Sequence, residues 1–192
     1  MILLRGSMAL GTERNKRLYC YVVEGKTDED KLKKLGLKLI IKTYGKFIKA
    51  DTLALIKAVS HYRPIVFVTD PDPAGKEIRI KIEKELEEKD YHYVETGMKE
   101  AYDGKKFGIA QMKMPNLGKA METFIRHDRE YDEQPTINLA DFMSLGIAGF
   151  ATAAKRQVLL DRLGFQFKGT KALLDGLWML GLDKEKVAKI LA

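Results

Sequence analysis

Apolar positions along this chain come in short unbroken runs, separated by stretches where apolar residues recur at helical spacing. The run 18–23 (LYCYVV) is continuous and β-rich, and predicts a buried strand. Thr27 or Asp28 is placed to cap a helix reaching Lys34, which Gly36 ends. A second strand is expected over 37–43 (LKLIIKT), closed by Tyr44-Gly45. Asp51 then opens a helix to about Ser60, with Leu55, Ile56 and Val59 on one face. The run 64–69 (PIVFVT) is apolar throughout, as a strand covered on both sides must be. A helix from Pro73 to about Glu88 follows, with Ile78, Ile82 and Leu86 at helical spacing, then a weaker strand over 91–96 and a helix from about Asn116 to Arg126.

Strands and helices alternating at this interval predict an α/β fold, a parallel sheet flanked by helices with right-handed crossovers. We place this domain at 17–127, after a polar extension at 1–16. The stretch 127–135 (HDREYDEQP) is polar and proline-terminated, and we place a linker at 128–135. From 136 to 192 the texture changes to helical segments punctuated by Gly146, Gly164 and Gly181, a small all-helical C-terminal domain. Thr170 and Asp183 stand where caps of its last two helices belong.

Composition narrows the class. With 45% hydrophobic residues a real core can form. The 34 Lys and Arg outnumber the 27 Asp and Glu, for a net charge of +7, which favours a polyanionic partner such as nucleic acid. One cysteine, Cys20, excludes an intrachain disulfide framework and a Cys-rich zinc module. No apolar run is long enough to span a membrane, and Met1–Leu4 is too short for a signal-peptide core, so a cytoplasmic protein is expected.

Two acidic motifs end predicted strands at the edge where open α/β sheets bind ligands. Glu24-Gly25 closes the first strand, and Asp70-Pro71-Asp72-Pro73-Ala74-Gly75 follows the third. Asp70 and Asp72 are two apart in an extended segment, so both can project to one side. Asp72 with Pro73 also suits a helix cap, and taken alone each motif reads as a capping or turn acid. Together they gather three carboxylates that repel unless a cation lies between them. Hard oxygen donors with no histidine nearby suit Mg²⁺ or Mn²⁺ rather than zinc.

A strand-ending Glu-Gly followed by Asp-x-Asp-x-x-Gly after a later strand resembles the Toprim domain of topoisomerases, primases and nucleases. The longer string from Asp70 to Arg79 (DPDPAGKEIR) resembles the ribonuclease M5 family within it, the 5S ribosomal RNA maturases. The tail agrees: 139–146 (LADFMSLG), Ala154-Lys155-Arg156 and Leu159-Leu160 are similar to that family's C-terminal region. The chain departs from the pattern at Ala110, where the family commonly has an acid, and at Tyr44-Gly45-Lys46, where it has an Asn-Gly-Ser-like turn. The resemblance implies Asp70 and Asp72 as ligands holding Mg²⁺ against the scissile phosphate. It implies Glu24 as a further ligand or the general acid or base. It also implies endonucleolytic hydrolysis of precursor 5S ribosomal RNA in its terminal duplex, with a helper, the large-subunit ribosomal protein numbered eighteen.

Basic residues complete the expectation. Seven lysines and no acid lie between Lys31 and Lys49. Lys46 and Lys49 follow the second strand, Lys76 and Arg79 flank Asp72, and Lys155-Arg156 sit in the tail; all six are RNA-contact candidates, although Lys31, Lys33 and Lys34 read equally as a solvated face. His61, His92 and His127 share no ligand spacing. Cys20 and Trp178 read as core, and Tyr44 is the aromatic best placed to meet nucleic acid. Two rivals remain at this stage. One is a ribosomal-RNA-binding module without turnover, in which clustered acids would only weaken binding. The other is an Asp-x-Asp phosphatase, which leaves Glu24-Gly25 unexplained.

Overall fold

The computed structural model describes residues 16–87, 91–94, 101–102 and 108–192. They fall into two compact units divided between Glu133 and Gln134.

The first unit is built on a four-stranded, wholly parallel sheet in the order β2-β1-β3-β4. The strands are β1 (Cys20–Val23), β2 (Ile40–Lys42), β3 (Ile65–Val68) and β4 (Tyr91–Tyr93). Between them run α1 (Lys26–Lys34), α2 (Ala50–Ser60) and α3 (Pro73–Glu83). After β4 come a 3₁₀ turn at Ile109–Gln111, α4 (Met114–Ala120) and α5 (Glu122–Tyr131). β1 and β3 are the inner strands, and all their residues are buried. That is why their sequence is continuously apolar rather than alternating. One face sends Tyr21, Val23, Val66 and Val68 into a core shared with Leu32, Leu37, Ile109, Met112, Leu117 and Met121. α2 packs on β2, β3 and α3, and brings Ile56 and Val59 to a second buried layer with Ile78 and Ile82 of α3.

Several expected boundaries shift. The strands are shorter than the apolar runs, because Leu18, Leu37 and Leu39 are buried as strand approaches rather than as ladder members. α3 ends at Glu83; Glu88, and the continuation of β4 to Thr96, lie outside the described residues. The helix expected over 116–126 is two helices that meet at Met121. The expected linker at 128–135 is structured for most of its length. α5 runs to Tyr131, and Asp128 accepts hydrogen bonds from the Tyr19 N–H (3.1 Å) and the Tyr21 hydroxyl (2.9 Å). Glu133 forms a two-pronged pair with the fully buried Arg63, whose Nη1 also donates to the Leu18 carbonyl. Those polar residues read as linker because their partners lie about a hundred positions away.

The second unit, 134–192, contains α6 (Leu139–Ser144), α7 (Ala153–Leu163), α8 (Thr170–Met179) and α9 (Lys184–Leu191). Phe142, Ile147, Leu159, Leu173, Leu177, Trp178 and Val187 are buried in it, so Trp178 is core as expected. Asp183 caps α9 by accepting from the Lys186 N–H at 2.9 Å. Thr170 is not a cap: Gly169 takes that position, and the Thr170 hydroxyl receives a guanidinium N–H of Arg156.

Candidate active site

The parallel register puts the C-terminal ends of β1 and β3 side by side, since Val23 pairs with Val68. Glu24 directly follows one end, and Asp70 and Asp72 follow the other by two and four residues. The structure therefore brings together the three acids expected to meet. The Asp70 N–H donates to Glu24 Oε1 at 2.8 Å. Asp70 Oδ1 accepts from the Ile109 N–H at 2.6 Å. Asp72 caps α3, Oδ1 accepting from the Gly75 N–H at 2.8 Å, with Pro73 in the first turn. Each acid is thus oriented through one oxygen by a main-chain amide, which leaves the second oxygen of each without a hydrogen bond among the described residues.

Two glycines make this packing possible. A Cβ at Gly75 would lie 2.2 Å from the Asp70 carbonyl oxygen and 2.9 Å from Glu24 Oε1. At Gly108, where φ is +141°, it would lie 2.4 Å from Asp70 Oδ2. Gly25 is less confined: a Cβ there would sit 3.6 Å from Asp28 Oδ2, an ordinary contact.

A fourth carboxylate joins from α1. Asp28 is 5% exposed and accepts the Gly25 N–H at 2.9 Å, folding the start of α1 back on itself. Its pattern in sequence suits a helix-start residue, so nothing local marked it as part of the site. Burial is the main cause that pushes the Glu24 carboxyl up to about 7, with the charges of Asp70, Asp72 and Asp28 adding to it. Burial likewise pushes Asp28 up to about 6, helped by Asp70, and raises Asp70 above the usual carboxylate range.

The donor chemistry fits a hard divalent cation: oxygen-only, mutually repelling and half-buried. Among the described residues no group of three or more acidic, histidine or cysteine side chains stands close enough to hold a metal ion as the chain is folded here. The Thr43 hydroxyl, buried just past β2, also has no hydrogen-bond partner there.

The basic candidates divide. Arg79 donates to the Thr69 hydroxyl and, at 3.4 Å, to the Asp70 carbonyl, so it sits against the carboxylate loop. Lys46, Lys49 and Lys76 are exposed. In the tail Lys155 is exposed, but Arg156 is spent on structure: Nε and Nη2 donate to the Ile147 carbonyl at 3.0 and 2.8 Å. Much of the lysine-rich stretch is also committed. Lys33 and Lys42 both bond Glu29 at 2.5 Å, Lys38 pairs with Asp132, and Lys31 donates to the carbonyls of Ile109 and Met112. Lys31 thereby secures the turn that holds Asp70. Cys20 is buried, and burial pushes its thiol up to about 12, which removes it from nucleophilic chemistry.

A parallel sheet with acids at these strand ends defines a class, and residues 20–100 match the Toprim domain. Over most of its length the chain is also similar to curated proteins that share one name. It is 31% identical to ribonuclease M5 of Mycoplasma genitalium over 168 residues, 88% of this chain and 91% of that protein. With ribonuclease M5 of Mycoplasma pneumoniae it shares 29% over 171 residues, and with that of Borreliella burgdorferi 28% over 175, in each case covering more than nine-tenths of the relative. The chain belongs to the ribonuclease M5 family.

Proposed function

We propose that this chain is a metal-dependent endoribonuclease of ribosome biogenesis, cutting precursor 5S ribosomal RNA in its terminal duplex. One observation carries the reading: Glu24, Asp70 and Asp72 meet at the C-terminal edge of the sheet in a chain of the ribonuclease M5 family. A purely binding surface for a polyanion would gain nothing from buried acids there, and a phosphatase reading leaves the Glu24–Asp70 contact without a role.

Glu24, Asp70 and Asp72 are the residues that would hold the cation, Mg²⁺ or, less favoured, Mn²⁺. When bound, it offsets the charge of the scissile phosphate and of the transition state. The chain's own groups do the rest. The Ile109 and Gly75 amides fix Asp70 and Asp72 before substrate arrives, so no reorientation is needed at the moment of reaction. Burial raises the Glu24 carboxyl to about 7 in the cation-free chain, so Glu24 is suited to hold or release a proton at the moving oxygen in the arrangement where Asp70 and Asp72 alone hold the cation. Burial sets that value, and the charges of Asp70, Asp72 and, least, Asp28 add to it. Arg79, braced on Thr69, and the N-terminus of α3 offer positive potential to a phosphate beside Asp72. Lys46, Lys49 and Lys76 neutralise backbone phosphates of the RNA near the cut, and Lys155 does so along an A-form duplex, which is read by shape. The helical unit serves as a grip on RNA or on the helper, the large-subunit ribosomal protein numbered eighteen. Among the described residues no helix is long and apolar enough to cross a membrane, and the cytoplasm, where ribosomes assemble, is the compartment this reading requires.

The test is cleavage of end-labelled precursor 5S RNA with Mg²⁺, with and without the ribosomal protein. Wild type should give discrete cuts leaving 5′-phosphates. Asp70→Asn should lose at least about 100-fold in rate while still binding the RNA. Binding without cleavage by wild type under every metal and helper condition would leave only the binding module. Turnover of a phosphomonoester instead would restore the phosphatase.

A further inference from the structure

The segment from β2 to α2 leaves the sheet at the catalytic edge. Lys42 pairs with Val23, and the Thr43 N–H donates to the Val23 carbonyl at 2.9 Å, one residue before Glu24. It then presents two aromatic rings within four residues, Tyr44 at 71% and Phe47 at 81% exposed. Burying a Phe side chain is worth about 1.5–3 kcal/mol, so a ring left in water forgoes most of that. Scattered single apolar residues are ordinary on a protein surface, but these two rings share one loop and a common setting of ammonium groups.

Lys46 Nζ lies 5.5 Å and Lys81 Nζ 6.0 Å from the Phe47 ring centre, and Lys42 Nζ lies 5.7 Å from that of Tyr44. By contrast Tyr93, also partly exposed, has a neighbour for each end: its ring stacks on Phe67 at 5.6 Å and its hydroxyl bonds Glu83. The loop is braced. Lys81 of α3 donates to the Lys46 carbonyl at 3.1 Å, which ties it to the helix that Asp72 begins. Tyr44 adopts φ +58°, a left-handed conformation uncommon for a residue other than glycine.

We propose that Tyr44 and Phe47 form a stacking platform for an unpaired RNA base beside the cut, with Lys46, Lys49 and Lys81 meeting the phosphates on either side of it. Every base offers a π-face and every nucleotide a phosphate, the complement of rings set among ammonium groups. An apolar protein segment would take water from the ammonium groups of Lys46 and Lys81 and offer no anion in its place, although Lys46 also lies 4.0 Å from Glu77. A base inside a duplex shows no free face, so the nucleotide recognised is bulged, extruded or terminal. The inference rests on RNA being the substrate, as proposed above.

The experiment uses the whole chain and a short single-stranded oligoribonucleotide carrying 2-aminopurine, titrated in EDTA so that binding is read without turnover. Wild type should quench the fluorophore. Phe47→Leu should abolish the quenching and weaken binding by about 5- to 150-fold, and Phe47→Trp should retain both. In cleavage with Mg²⁺, wild type should prefer a precursor with an unpaired nucleotide at the cut over a fully paired one, and Phe47→Leu should erase that preference. Circular dichroism of both variants should match wild type, since the ring is exposed. Quenching and preference unchanged in Phe47→Leu would overturn the platform and leave the nuclease standing. Unchanged quenching with loss only of stimulation by the ribosomal protein would make the rings a protein contact, and would overturn it too. Quenching by a wild-type chain that never cuts would sink the maturase reading and leave the platform intact.

Discussion

At Gly75 the site has no room for a methyl group. The position that a Cβ would take is within 2.2 Å of the Asp70 carbonyl oxygen, a main-chain atom that cannot swing aside as a side-chain tip does. Gly75→Ala should therefore displace the Asp70–Asp72 loop. We expect cleavage to fall at least about 100-fold, since small misplacements of catalytic groups are that costly. Stability should fall by about 1–3 kcal/mol. Steady-state cleavage kinetics together with thermal melting check both, and an Ala variant that melts and cuts like wild type would refute this account of the loop. Gly75 was legible in sequence, because it stands in register with Asp70 and Asp72. Gly108 was not: only folding brings it against Asp70, 38 positions earlier in the chain, and the same holds for the Ile109 amide. Asp28 escaped for a related reason. A helix-start acid looks alike whether it faces water or a neighbouring carboxylate.

Among the elements, α1 departs most from what its composition suggests. Its lysines and those after it read as a solvated or RNA-facing stripe, yet Glu29 draws Lys33 and Lys42 to itself and so pins α1 to β2. Burial pushes the Glu29 carboxyl up, but hydrogen bonds and charge from Lys33 and Lys42 outweigh it and hold the group at about 2. The folded state then binds fewer protons than the unfolded chain between that value and the ordinary Glu value of about 4.3. This contribution is present above that window and lost as pH falls through it. Glu29→Gln should cost about 2 kcal/mol at pH 7, and the difference from wild type should shrink toward zero as pH approaches 2. Urea unfolding of both proteins at pH 7 and pH 3 measures it; a deficit independent of pH would assign Glu29 a packing role instead.

For the whole molecule, the charge of +7 describes the partner only after the internal pairs are set aside. Lys46, whose only ion pair among the described residues is a loose, exposed one with Glu77 at 4.0 Å, and Lys49 remain exposed at the catalytic edge, whereas Lys33 and Lys42 are held at 2.5 Å by the buried Glu29. Replacing Lys46 and Lys49 together by Gln should lower the log–log salt slope of RNA binding by roughly 1.5. Lys33→Gln should leave the slope unchanged. Filter binding across a salt series distinguishes the two, and equal slope losses would show that α1 also faces RNA.

The sequence by itself determined the alternation of strands and helices, the buried β1 and β3, the helical second unit and the three acids at the strand ends. Those features follow from local periodicity and from the polarity of a parallel sheet, which collects strand ends at one edge. Tertiary structure alone decided that 128–133 is anchored rather than free, because Asp128 and Glu133 find partners on β1 and next to β3. It also decided that Arg156 is a brace, that Asp28 joins the site and that Phe47 stands among ammonium groups. Each of these depends on contacts between residues far apart in the chain, or on which way a side chain turns, and no pattern of neighbours along a chain encodes either.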